Sequence, residues 1–311
     1  MKQLVLLLTG AAFLFLGCAK DQNEDATPEK GKHVVKLSAY VDNTDTRVSI
    51  TETGETASFS WQQGDWIGVF TDYRGDFNGV KWLEIYNSGE IAEFEIILDN
   101  EVTLGQYAVY PVEEGCGFDP DMEVPVLGLS DYYEYTYYNR TLAPMPMLGT
   151  ISSHNVISNT EDDYEVSFKA SFKAVGGLLK VEIDNIPEDA EWLEFSVSDK
   201  RITGGFPVIE RPDGSKIINV EPYDEATYDG HNYIRFRIND DYVSDRVFYI
   251  PLPCGTYNNL KFSFYDEMSD DPIVSKTAKI KDGLVVKRND IIVAPPLVLP
   301  AATPTEPNIH D

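Results

Sequence analysis

Three places in the chain carry residue types whose spacing could do chemistry. Gly17-Cys18 puts a thiol directly behind an apolar run, where it can carry a thioether-linked lipid. Arg47 follows the polar stretch Asp42-Asn43-Thr44-Asp45-Thr46. Loops of small polar residues are where proteases cut, so Arg47 is a candidate processing site for an Arg-specific protease; a plain surface arginine is the alternative. Asp131-Tyr132-Tyr133-Glu134-Tyr135-Thr136-Tyr137-Tyr138 is a tyrosine ribbon. As a strand it puts Tyr133, Tyr135 and Tyr137 on one face. Flat rings with polar tips make a candidate ligand platform, though the same spacing suits core packing.

Catalysis finds no such support. The 4 histidines, His33, His154, His231 and His310, are scattered. Gly-x-Ser-x-Gly and phosphate-binding glycine loops are absent. The 3 cysteines, Cys18, Cys116 and Cys254, have no metal-ligand spacing. A sequence does not say whether Cys116 and Cys254 pair. We therefore expect no catalytic residue, no metal and no cofactor.

The elements that position these residues begin with an export device. Met1-Lys2-Gln3 is basic, and Leu4 to Leu16 is almost unbroken apolar sequence. That is a secretory signal, too short for a stable membrane span. A small residue before Cys18 resembles a bacterial lipoprotein box, which makes residues 1–17 a removable signal and Cys18 the lipidated N-terminus. Each buried methylene contributes ~0.8 kcal/mol, so two or more acyl chains anchor stably where one does not. Residues 18–32 read as a flexible tether of low hydrophobicity.

The 311 residues contain 52 acidic and 25 basic side chains, for a net charge of -27. Such a field repels phosphate backbones, so a nucleic-acid partner is not expected. Hydrophobic residues make up 42%, enough for real cores.

His33 to Val41 alternates, with Val35, Leu37, Ala39 and Val41 on one face. That is a half-buried strand. Short strands follow at Ala57–Gln62, Trp66–Thr71, Lys81–Tyr86, Ala92–Leu98 and Gln106–Pro111. The second half adds Tyr164–Phe172, Val175–Asp184, Trp192–Val197, Lys216–Val220, Tyr233–Ile238, Arg246–Pro251, Leu260–Tyr265, Val274–Ile280 and Asp290–Ala294. Turn signals about every 8–12 residues argue for an all-β sandwich or barrel. Gly176-Gly177 inside a strand predicts a bulge or a close backbone approach. The polar stretch 150–164 marks a boundary. We expect one β-sandwich over 33–160, another over 161–296, and a Pro- and Thr-containing tail over 297–311.

Several segments together resemble the fimbrillin family of surface lipoproteins. They are Thr46-Arg47, Phe59-Ser60-Trp61-Gln62-Gln63-Gly64-Asp65-Trp66-Ile67-Gly68-Val69-Phe70, Tyr107-Ala108-Val109-Tyr110-Pro111, Ala143-Pro144-Met145-Pro146-Met147 and Phe172-Lys173-Ala174-Val175-Gly176-Gly177-Leu178-Leu179-Lys180-Val181. Their order fits over about residues 34 to 295. The resemblance implies two transthyretin-like β-sandwich domains in tandem and a non-enzymatic role in adhesive fimbriae at the outer membrane surface. It implies other fimbrial subunits as partners and a host protein or glycan as ligand. It also implies cleavage at Arg47, loss of the strand bearing Val35, Leu37, Ala39 and Val41, and its replacement by a neighbour's strand. Leu297-Val298-Leu299 sits between prolines and is a poor donor strand, which favours a tip, minor or terminal subunit. A non-polymerising, glycan-binding surface lipoprotein is the alternative.

Overall fold

In the computed structural model the described residues are 31–42, 60–134, 145–154, 166–198, 200–218, 230–238, 247–267 and 270–300. They form strands, turns and connecting segments, with no helix among them. The all-β expectation is met. Cys18, Arg47, Tyr135, Tyr137, the tether through residue 30 and the tail from residue 301 lie outside the described residues.

The first sheet has seven strands: β1 (Lys32–Val41), β2 (Trp66–Tyr73), β3 (Asp76–Glu84), β4 (Ile91–Asp99), β5 (Val102–Tyr110), β9 (Met147–His154) and β10 (Val166–Ala174). Their order is β3-β2-β5-β9-β10-β1-β4. Strict alternation in β1 and β4 buries one face of each. β2 instead reads as unbroken apolar sequence, Ile67 to Phe70, and is buried on both faces. Its turn to β3 places Arg74 and Gly75 at positive φ, 55° and 95°, as a two-residue hairpin of this hand needs.

Between these lie β6 (Gly117–Asp119), β7 (Val124–Leu129) and β8 (Tyr132–Glu134). The second half supplies β11 (Gly177–Asp184), β12 (Trp192–Val197), β13 (Gly204–Glu210), β14 (Lys216–Ile218) and β15 (Tyr233–Arg237). It continues with β16 (Val247–Leu252), β17 (Gly255–Tyr265), β18 (Val274–Val286), β19 (Ile291–Val293) and β20 (Leu297–Val298). A five-stranded sheet runs β18-β17-β12-β15-β8, and β16-β11-β19 faces it with β20 also on β11. A small sheet, β14-β13-β7-β6, completes the structure.

Three apolar clusters result. One lies under β1, with Leu37, Trp61, Ile67, Ile96 and Phe172. Another fills the second half around Phe195, Phe236, Ile250 and Phe264. The third joins the outer side of β2, β5 and β9 to the small sheet through Phe70, Val109, Leu127 and Phe206.

Strand pairing does not follow the division expected at 160/161. β10 lies beyond it yet pairs with β1. β7 and β8 lie before it yet pair with β13 and β15. The physical reason is that sheet edges seek the nearest unpaired backbone, not the nearest in sequence. Thr150 to His154, read as boundary, belongs to β9. The tail expected from 297 also begins too early, because β20 pairs with β11 and Leu299 is only 2% exposed. A β-carbon on Gly177 would stand 2.7 Å from Val286 Cγ1 and 2.9 Å from the Lys287 carbonyl. The close approach predicted at Gly176-Gly177 is there.

Candidate strand-exchange site

β1 is held along both edges. It runs parallel to β10, from Val35 opposite Val166 to Val41 opposite Phe172. It runs antiparallel to β4, from Lys32 opposite Asp99 to Tyr40 opposite Ile91. Val35, Leu37, Ala39 and Val41 all point inward and are buried. Exposed flanks add weaker ties: Ser38 Oγ donates to Glu93 at 2.8 Å, and Lys36 lies 3.8 Å from Glu95. At the C-terminal end the Asp42 N–H donates to the Phe172 carbonyl at 2.8 Å, and Lys173 pairs with the Asp42 carboxylate at 3.4 Å.

A clamp forms on the inner side. Trp61 is 1% exposed, and its indole N–H donates to the Ala39 carbonyl at 3.0 Å. Its ring meets Phe172 edge-on at 5.1 Å and Tyr110 at 5.4 Å. Trp61 is fixed by paired main-chain bonds with Gly89. The following turn, Gln62 to Asp65, closes when the Asp65 carboxylate accepts from the Gln62 N–H at 2.9 Å. Burial pushes the Asp65 carboxyl up, against the lowering effect of its bonds from Gln62 and the Tyr110 hydroxyl. Burial, with Asp65 beside it, also pushes Tyr110 well above its ordinary range. The stretch Trp61 to Asp65 thus backs the groove in which β1 lies.

Removing β1 would open a groove between β10 and β4, with two unpaired edges and apolar pockets on its floor. Edges of that kind template another strand. Each fully buried large apolar side chain contributes about 1.5–3 kcal/mol, less the cost of ordering the incoming peptide.

The expected site residues are distributed as follows. Val35, Leu37, Ala39 and Val41 come together on the inward face of β1, where they fill the groove. Tyr133 turns inward and stacks on Phe236 at 5.7 Å with the rings 20° apart. The ring left outside on β8 is Tyr132, 40% exposed. Sequence reasoning missed the Trp61 clamp. Its signal was the alternation Ala57, Phe59, Trp61, which places the tryptophan on the apolar face of that run. Cys116 and Cys254 are free thiols in different surroundings. Gly128 N–H donates to Cys116 Sγ at 3.0 Å, whereas Cys254 donates to the Val175 carbonyl at 3.5 Å. Burial raises both thiols, Cys254 to about 11, so they are protonated and unreactive at neutral pH.

No family model matches the chain, and no curated protein matches it. Solved structures similar to it include a fimbrial protein from Bacteroides ovatus, at 14% identity and a TM-score of 0.31. That match covers 88% of this chain but 49% of the other, so this chain spans about half its length. The tip fimbrial protein Mfa3 from Porphyromonas gingivalis is similar at 10% identity and a TM-score of 0.33, over 80% of this chain and 81% of that one. The fimbrial anchor protein Mfa2 of the same organism is similar at 13% identity and a TM-score of 0.29, over 78% and 82%.

Proposed function

We propose that this chain is a lipid-anchored component of an adhesive surface fimbria, at a tip, minor or terminal position, and that it assembles by exchanging β1 for a strand from another subunit. Cys18 carries the lipid and Arg47 is the cleavage point. The observation that carries this reading is the position of β1. It is the first described strand, it is paired on both sides, and Arg47 follows it closely in the sequence. A strand paired on both sides leaves a complete slot when it goes, whereas loss of an edge strand leaves only a bare edge.

A second observation bears on position. Leu297 to Leu299 is already engaged within the chain, through β11 and through the Asn185 side-chain amide, which donates to the Leu299 carbonyl at 3.3 Å. A segment so held is not available as a donor, which suits a terminal place in a fibre.

The test is digestion of the native protein with an Arg-specific protease, read by mass spectrometry. A single early cut after Arg47, abolished in Arg47→Ala, supports processing there. A chain that stays intact at Arg47 contradicts the cleavage step.

A further inference from the structure

The outer face of the five-stranded sheet carries a pattern that neither core nor solubility explains. On β12, Leu193, Phe195 and Val197 face inward, which turns Trp192, Glu194 and Ser196 outward. On β15, Ile234 and Phe236 face inward, which turns Tyr233, Arg235 and Arg237 outward. The registers bring these outward residues together. Trp192 stands opposite Tyr265 on one side and Arg237 on the other, and Arg235 stands between Glu194 and Tyr132. The result is a row of rings beside a row of charges.

Tyr132, Trp192, Tyr233, Arg235 and Tyr265 from this face line an open groove of about 410 Å³, within the size range of small-molecule clefts. Tyr132 and Trp192 form one wall, with ring centroids 5.5 Å apart and planes 46° apart. Tyr265 stands on the other side of Trp192. Arg235 also lines the groove and is held in place by an ion pair, its Nε donating to Glu194 at 2.9 Å. Tyr233 is already engaged by two neighbours, His231 stacked at 4.8 Å and Arg235 at 5.1 Å. Arg237 likewise sits over Trp192, so Tyr132 and Tyr265 are the rings with most surface to offer. Asp131 lies at one end, and Asp266, Glu267 and Asp270 lie at the rim.

We propose that this groove binds a neutral saccharide. A sugar ring presents an apolar C–H face and a rim of hydroxyls. The aromatic row matches the first, and tyrosine and tryptophan do so with little entropy to lose. Arg235 as donor and the Asp131, Asp266 and Asp270 carboxylates as acceptors match the second, since hydroxyls need both. Charge selects among sugars. Four carboxylates around the groove and a molecular charge of -27 disfavour sulfated or uronic saccharides. A free organic cation is disfavoured too, because Arg237 already sits 5.7 Å over Trp192 and Arg235 covers Tyr233. The proposal goes beyond the fimbrial reading and does not depend on β1 or Arg47.

The test is a glycan array of neutral and anionic saccharides probed with the native protein. Affinity electrophoresis of Tyr132→Ala, Tyr265→Ala and Tyr132→Phe follows, in gels containing the neutral glycan with the highest signal. Choline is the cation control. Expected are signals confined to neutral glycans, about tenfold weaker binding in each alanine variant, and retained binding in Tyr132→Phe, at an unchanged melting temperature. Tyr132 and Tyr265 lie outside the buried core, so these variants fold. The proposal is overturned by an array with no neutral signal, by binding that choline or anionic glycans alone support, or by retardation that both alanine variants keep.

Discussion

The indole of Trp61 reaches from the turn before β2 to the main chain of β1, so one side chain ties that turn to the strand proposed to leave. Trp61→Phe keeps a ring in the core but removes the donor to the Ala39 carbonyl and some volume. The expected cost is about 1–3 kcal/mol in equilibrium unfolding, since a lost hydrogen bond and a small cavity add. Glu113 acts in the opposite sense. It lies in the cleft shared with Glu114 and Asp131, where burial first and those two carboxylates second raise it from 4.5 to about 7. The folded state therefore holds a proton that the unfolded chain has released between these values. The Glu113 contribution to stability carries no penalty below pH 4.5, worsens as the pH rises toward 7, and reaches its full penalty above 7. Glu113→Gln is expected to be more stable than the parent by about 1–2 kcal/mol at pH 8, allowing for solvent screening, and equal to it at pH 4. Thermal melts at the two pH values check this; an equal gain at both would contradict it.

At the scale of elements, β1 is more than one of seven strands. β4 stands at the end of the sheet order, and β1 is its neighbour there. Loss of β1 therefore unpairs β4 altogether but leaves β10 paired with β9. Hydrogen exchange should show this. In Leu37→Asp, a charge forced into a fully buried site, the amides of β4 are expected to lose protection while those of β2, β5 and β12 keep theirs. Uniform loss would mean that β1 is not separable from the fold. Much of this arrangement is legible in the sequence, because β1, β4 and β12 alternate with period two. The partner of β1 is not legible. Its pairing with β10 is parallel and non-local, and no local pattern encodes it. β7 and β13 were hidden by Pro125 and Pro207, which argue against strands by propensity. β9 was hidden because its polar residues read as a linker. The ribbon at Tyr132-Tyr133 gave the alternation but not its direction: the pairing of β8 with β15 turns Tyr133 to the core and leaves Tyr132 outside.

For the whole molecule, the three apolar clusters divide the labour. The inward residues of β1 belong to one of them, whereas the second half and the small sheet are held by the other two. Loss of β1 would take residues from one cluster and none from the other two. The central claim is that the slot of β1 is a binding site for a strand. The most direct measurement is uptake of a fluorescent peptide with the sequence of residues 32–42 by the leader-free protein, before and after cutting with an Arg-specific protease, read by native mass spectrometry and anisotropy. The account predicts slow, stoichiometric uptake by the cut protein, with release of its own N-terminal segment, and none by the uncut protein or by Arg47→Ala. Failure of the cut, folded protein to take up the peptide, or equal uptake without cutting, would contradict it.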